Sequence, residues 1–513
     1  MKTGIIKLLA FVLPVSIAIQ AKAQMPDDFL QLGTHEVQST ARFTGLGGAF
    51  NALGGDIGSL STNPAGIGVY RSSEFSITPA LTFNNTSTNF LERSTDDSRT
   101  RFGMPSLGYV SNWLSGNASG LITLNFGFAI NRTANFYKNT KFTGLNSPNS
   151  VADFYAKHAT SFNPDYIIKN VEDNKYNQIL PNDWSTALAY DTYLLEYDNA
   201  NNKFHTPGLD LNDRVDISGK TQQSGGTQEY AFSLGGNISN KVQFGFTIGL
   251  QDVYLSNHLY YREQDIVTNQ GNFIGNTRNE YTTTTGFGAN FKAGLIFRPV
   301  DAFRLGFAVH TPTFFNMNRE YRVDMASVFF EANSQEKTYN KALDPDMYEY
   351  SLNTPYRLEA GLAYIIGKIG LISVDYEFVG NSSMRMRDNY GGTIPDTYND
   401  LIKQSYRSTS NVRVGAELNL PYGVVLRGGY NYFQSPYKDS KLDFARNAYS
   451  GGIGFRNKTF FADFAFVMNT GKYYYAPYYV NDYRIRDSDG NTNHAVEQSN
   501  ISRVVVTLGF KFK

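Results

Sequence analysis

The strongest constraint in this chain is a period-two alternation of bulky apolar with small or polar residues, repeated from Ser73 to the C-terminus. Successive side chains of a strand point to opposite faces, so each run describes a surface with one apolar side. Ile122, Leu124, Phe126, Phe128 and Ile130 alternate with Thr123, Asn125, Gly127 and Asn131. In the last run Val504, Val506, Leu508, Phe510 and Phe512 alternate with Arg503, Val505, Thr507, Gly509 and Lys511. Fourteen segments read this way, near 73–83, 104–113, 120–131, 227–238, 241–254, 280–298, 302–311, 354–365, 368–379, 408–419, 423–433, 446–456, 459–469 and 501–512.

The connections alternate as well. Those after even-numbered segments are short, as at Ser239-Asn240, Ile366-Gly367 and Asn457-Lys458, and those after odd-numbered segments are long and polar. A soluble sandwich also alternates, with its apolar face as a packed core, but its loops have no reason to follow strand parity. The expected fold is therefore all-β, a 14-stranded antiparallel transmembrane barrel of the outer membrane with tight periplasmic turns and long external loops. Both termini then lie in the periplasm. Tyrosines at strand ends, among them Tyr473-Tyr474-Tyr475 and Tyr478-Tyr479, read as an interfacial girdle.

Export is encoded at the N-terminus. Lys2 and Lys7, the apolar run Leu8 to Ile19 and the small-x-small site Ala21-Lys22-Ala23 form a secretory signal cleaved near Ala23. The apolar run is shorter than the about 20 residues a spanning helix needs. The expected organisation is a signal peptide over 1–23, a separate segment over 24–72 and the barrel over 73–513, in the outer membrane of a Gram-negative cell. The loop from about 132 to 226 is read as an external cap, with helical character at Ser150–Thr160 and Asn182–Glu196.

Enzyme chemistry is not expected. Forty-six basic residues balance 46 acidic ones, which leaves no basic face for nucleic acid. There is no Cys, so disulfides, thiolate metal sites and cysteine nucleophiles are excluded. The six histidines form no HExxH motif, and Asp487-Ser-Asp-Gly-Asn491 lacks EF-hand spacing and reads as an Asx/Gly turn. No catalytic group, metal or cofactor is expected. Inward charges at Lys292, Arg304, Arg357, Glu359, Asp375, Glu377, Arg413, Glu417, Arg427 and Asp463 read mainly as paired, solvated lumen charge.

The segment before the barrel is unusual. Gly45 to Tyr70 is too Gly-rich for a helix, yet carries Leu46, Phe50, Leu53, Ile57, Leu60 and Ile67. Such a segment needs a cavity, and a fourteen-strand lumen is wide enough to take it as a plug. Here the chain resembles the FadL/TodX outer-membrane transporters of long-chain fatty acids and aromatic hydrocarbons. The resemblance rests on Thr44-Gly-Leu-Gly-Gly-Ala-Phe50, Gly55-Asp56 and Asn63-Pro64-Ala65-Gly66.

The resemblance implies a hatch over 24–72, with Gly45, Gly47, Gly48, Asp56, Asn63, Pro64 and Ala65 as gating residues. It implies passive uptake of a hydrophobic small molecule, captured under the external loops and released sideways into outer-membrane lipid beside a kinked third strand. Gly120 and Gly127 would permit that kink, and Asn63 and Pro64 would hold the hatch against the gap. Phe50, Leu53, Arg304 and Arg427 are the candidate ligand contacts, and a monomer is expected. A barrel of this kind acting as a protein-binding shuttle of a secretion system, or as a haem receptor, is the alternative.

Overall fold

The structure, a computed structural model, describes residues 24–147, 149–209, 214–266, 272–331, 335–388, 394–440, 442–475 and 495–512. The signal segment, Tyr478-Tyr479 and the Asp487–Asn491 turn lie outside them. Fourteen antiparallel strands close into one barrel. In chain order they are β1 (Ser73–Phe90), β2 (Arg93–Leu114), β3 (Leu121–Asn135), β4 (Val215–Ile238), β5 (Val242–Asp265), β6 (Phe273–Val300) and β7 (Phe303–His310). The second half is β8 (Arg357–Ile366), β9 (Gly370–Val379), β10 (Thr409–Asn419), β11 (Val424–Phe433), β12 (Arg446–Arg456), β13 (Phe460–Tyr475) and β14 (Ala495–Phe512). Each strand pairs with its chain neighbours, and β14 returns to β1 in the register Ser73↔Phe512. Phe246, Ile248, Leu295, Phe307, Leu362, Ile453 and Phe464 are exposed on the outer face, where lipid is their solvent.

The strands are longer than their apolar runs. β1 and β2 form one hairpin that turns at Leu91-Glu92, both at positive φ (44° and 63°), as a two-residue primed turn requires. The expected long loop over 84–103 is thus extended wall. Apart from Phe90, Leu91 and Phe102 its residues are mostly polar on both faces, and a period-two test of hydrophobicity is blind there. β7 stops at His310, but Phe314–Phe330 continues upward along β6 (Phe314↔Ala289), and Asp346–Asn353 descends beside it. Pro312 and Pro355, which have no N–H to donate, mark the two interruptions.

Residues 132–226 include the top of β3, a strand at Lys138–Ser147 along β4, and helices that close the external mouth. With α1 (Gln24–Leu32) and α2 (Ala41–Gly45) in the segment before the barrel, these are α3 (Val151–Thr160), α4 (Pro164–Glu172) and α5 (Trp184–Asp191); α6 (Ile394–Ser405) follows β9. α4 lies where no helix was expected. α3 starts at a capping box of Ser150 and Asp153, and Glu263 of β5 accepts from Ser150 Oγ (2.5 Å) and Val151 N (2.7 Å). Tyr155, Ile167, Trp184 and Leu188 pack on Phe90, Phe142, Tyr261, Phe273 and Met325 from the strand tops. Burial of each such side chain is worth roughly 1.5–3 kcal/mol, so the cap is seated on the barrel.

The segment 24–72 fills the lumen below. α1 and α2 are followed by short 3-10 helices at Ile57–Leu60 and Pro64–Val69. Phe43, Leu46, Phe50 and Leu53 pack on Ala363 and Leu371, while Ile57, Leu60 and Ile67 pack on Val110, Ala129 and Ala231. Room for this backbone comes from inward glycines on the wall. A Cβ at Gly108 would strike Ile57, one at Gly127 would strike Leu60 and Ile67, and one at Gly245 would strike the Pro64 carbonyl. At Gly294, Gly306, Gly415 and Gly429 a Cβ would strike Asn63, Asn51, Leu46 and Gly47. Gly294→Val is expected to leave a barrel that still shifts on heating in a denaturing gel, but to displace the Asn63 turn. Protease cleavage within 24–72 should then become faster than in the parent.

Candidate functional site

The polar residues of the hatch organise it from within. Thr40 caps α2 by accepting from Phe43 N (3.0 Å) and donates to Asp56 Oδ2 (2.7 Å), whose Oδ1 accepts from Gly58 N (2.9 Å). Burial pushes the Asp56 carboxyl above its ordinary range, against the pull of Arg42 and these donors. Asn63 Oδ1 accepts from Ala65 N (3.0 Å), and its Nδ2 donates to the Asn51 carbonyl and Oδ1 (both 2.7 Å) and to Leu295 O (3.3 Å). Gly47 and Gly48 take positive φ (64° and 73°) in the turn after α2, and Gly45 packs on Arg427. All seven expected gating residues thus lie in one buried unit. Asn63 and Pro64 press against β5 and β6, however, and not against β3.

The expected ligand contacts are structural. Phe50 is fully buried, stacked on Phe43 (5.1 Å) beneath Arg42 (5.1 Å), and Leu53 is buried beside it. Arg304 donates to the Leu53 carbonyl (3.0 Å). Arg427 is buried between Glu417 (2.8 Å) and Asp463 (2.6 Å). Most of the inward charges are paired, and several are buried: Lys292 with Glu229, and Arg357 and the half-buried Arg413 with Glu377 (3.0 and 2.8 Å), whereas Asp375 accepts from Asn51 N (2.8 Å). His35 and His310 also meet, rings 5.8 Å apart, with His310 Nε2 donating to the Thr62 carbonyl (2.6 Å). Burial, reinforced by Lys292 and Arg357, holds His35 well below its ordinary value and neutral.

Between hatch and cap lies a cavity of about 420 Å³. α1, Gly33–Glu36, Phe136, Tyr137, Phe433, Phe444 and Tyr473–Tyr475 line it, with charges from Asp28, Lys138, Arg319, Arg446, Glu497 and Arg503. The three tyrosines read as a lipid girdle therefore face the lumen. α1 hangs at the cavity's upper side, where Phe29 packs on Tyr350 (5.8 Å) and on Tyr398 of α6 (5.9 Å), and Asp28 pairs with Arg319 (2.9 Å). The chain from the signal segment thus reaches up to the external loops before turning down into the hatch. Nothing in the linear pattern of 24–35 carries that information.

The strand ladder is interrupted on one side. β2 and β3 pair from Leu114↔Thr123 only as far as Ser106↔Asn131, whereas β2 continues to Arg93 paired with β1 alone. Pro105, with no N–H to donate, stands at the point of separation, and Pro79 of β1 lies in the facing bulge between Thr78 and Ala80. β3 shifts register between Arg132 and Ala134, and the hatch becomes its new neighbour. Glu36 N donates to Thr133 O and Gln38 N to Arg132 O (both 2.7 Å). The break is in the expected third strand but not at the expected glycines. Gly127 sits in unbroken register between Val110 and Ser233, and Gly120 belongs to the turn before β3. The readable signal was a proline inside an alternating run.

No family model matches the chain, and no curated protein matches it in sequence. Among solved structures its fold is similar to that of a Pseudomonas aeruginosa FadL homologue (TM-score 0.53, 12% identity, covering 94% of this chain and 100% of that one). It is also similar to the P. putida toluene transporter TodX (TM-score 0.51, 12% identity, 92% of this chain and 98% of that one). At this identity the likeness establishes the fold. Arg427→Gln removes the cation shared by Glu417 and Asp463, which keep Arg42 (3.3 Å) and Arg456 (3.0 Å), and should cost less than the about 3–5 kcal/mol of a fully orphaned buried charge. A lowered unfolding midpoint with unchanged binding of a hydrophobic fluorophore to the folded fraction is the expected result.

Proposed function

From a chain with the FadL/TodX fold, we propose a channel for passive uptake of hydrophobic small molecules across the outer membrane, with long-chain fatty acids or similar compounds as cargo. The supporting relatives include a FadL homologue and a toluene transporter, and apolar clusters seat a hatch and a cap on the barrel. Cargo enters under the external loops and gains roughly 25 cal/mol per Å² of apolar surface it buries in the aromatic part of the cavity. The observation that carries the reading is the parting of β2 from β3 above Ser106↔Asn131. We read the unpaired edge there, beside the outward-facing Phe102 and next to the cavity-lining Tyr137, as the way out. The molecule passes there into the outer leaflet, and the hatch segment 36–38 holds β3 aside. The chain acts as a monomer and catalyses nothing.

Gly103 gives the test. It lies on β2 at the opening, and a Cβ there meets nothing within 4 Å. Gly103→Trp should therefore fold, fill the gap and slow uptake of a hydrophobic fluorescent probe into cells by about tenfold, the scale of one well-filled steric barrier of 1.4 kcal/mol. Unslowed uptake in a surface-exposed, heat-modifiable variant excludes release through the wall. A protein stably co-purified with the chain, in place of any lipid-like molecule, would instead favour the shuttle reading.

A further inference from the structure

We propose that the end of the barrel away from the cap carries a seat for one anionic phospholipid of the inner leaflet, formed by Lys368, Ile369, Leu420 and Tyr422. The inference goes beyond the channel reading and does not rest on it. Its starting point is Tyr422, in the turn between β10 and β11. Tyr422 (φ 63°, ψ 20°) and Gly423 (φ 80°) both stand in the left-handed region. Glycine adopts that region freely and asparagine readily, whereas a bulky side chain there is strained. The ring is 95% exposed, and among the described residues it makes no ring contact and no hydrogen bond. The turn thus holds, at a cost, an aromatic side chain that the fold does not use.

Three more side chains gather beside it. β9 pairs with both β8 and β10, so the turn at 367–369 is the neighbour of the Tyr422 turn. Asn419 ties the two together, donating from its backbone N to the Ile369 carbonyl (2.7 Å) and from Nδ2 to the Lys368 carbonyl (3.2 Å). Ile369 is 62% exposed and Leu420 is exposed as well, and both adjoin the outward-facing Ile366, Ile372, Leu418 and Leu426. Lys368 is exposed and has no ion pair among the described residues. Exposure alone does not account for this, because exposed lysines at the cap end are found paired: Lys169 with Asp165 (2.6 Å), Lys175 with Asp173 (2.6 Å) and Lys337 with Glu331 (2.7 Å). Lys241 and Lys458, at other turns of the same end, are likewise exposed and unpaired among the described residues, but Ser239-Asn240 and Asn457-Lys458 carry no apolar residue.

An apolar knuckle with a cation at its edge fits an amphiphile better than it fits water. This knuckle is continuous with the face that lipid covers, and a lysine stem lies along such a surface with its ammonium at head-group depth. Tyrosine suits the same boundary, since its ring is apolar and its hydroxyl is wet. The matching charge is a phosphate whose head group has no cation of its own, which favours phosphatidylglycerol over phosphatidylcholine. The acyl chains then run along Ile369, Leu418 and Leu420, and the phosphate meets Lys368.

Native mass spectrometry of the full chain released from nanodiscs of equal parts phosphatidylglycerol and phosphatidylcholine tests the seat. Phosphatidylglycerol should be retained by the parent in about fivefold excess, the scale of one lysine at a membrane surface. Lys368→Gln should bring the ratio near one, while Lys368→Arg and Lys241→Gln should keep it. Tyr422→Asn, which suits the left-handed turn, should lower the retention of both lipids without lowering the heat-unfolding midpoint in non-ionic detergent. Equal retention of the two lipids by the parent overturns the proposal. A loss of preference in Lys241→Gln as large as in Lys368→Gln also overturns it, because the charge then acts from anywhere on the rim. A lowered midpoint for Tyr422→Asn in detergent makes the ring a structural element and overturns its place in the seat.

Discussion

A strand inside a bilayer has to hydrogen-bond along both edges, because lipid offers its N–H and C=O groups no other partner. The barrel meets this condition by closing β14 on β1. Where β2 and β3 separate, β3 finds a substitute in the hatch backbone at Glu36–Gln38, while Pro105 of β2, at the point of separation, has no donor to leave unpaired. The hatch and the bend of β3 are therefore joined by backbone hydrogen bonds.

A second condition acts on the lumen. A polypeptide plug packed against a polar inner wall must satisfy its buried groups, and here it does so with small residues and paired charges. Glycines on successive strands admit the hatch backbone, and Asn63, Thr40 and Asp56 close its turns. Lysine and arginine residues of the wall meet glutamates and aspartates close by. The polarity of the lumen is thus largely consumed by structure.

The barrel was legible because alternation reports the solvent on each face of a strand, and lipid is an extreme one. All fourteen segments reappear as β1 to β14, and the parity of their connections set the topology. The reading failed where that contrast vanishes: at 84–103, where both faces are mostly polar, and at Tyr473–Tyr475, where bulky aromatics face the lumen. The hatch was legible as an apolar, Gly-rich stretch that no element could absorb. Its contacts were not. Asn63 was placed at the gap and lies against β5 and β6, because sequence specifies a turn without saying which strand it touches.

By itself, then, the sequence determined the strand number, the order of neighbours, the plug and the absence of free thiols, since each follows from local periodicity or composition. Tertiary structure decided which cations are neutralised, where the strand ladder parts and what borders the cavity. Arg427 and Arg503 look alike in the chain. One is held between two carboxylates and the other, among the described residues, has no ion pair of its own, because register and not neighbours in sequence determines which charges meet.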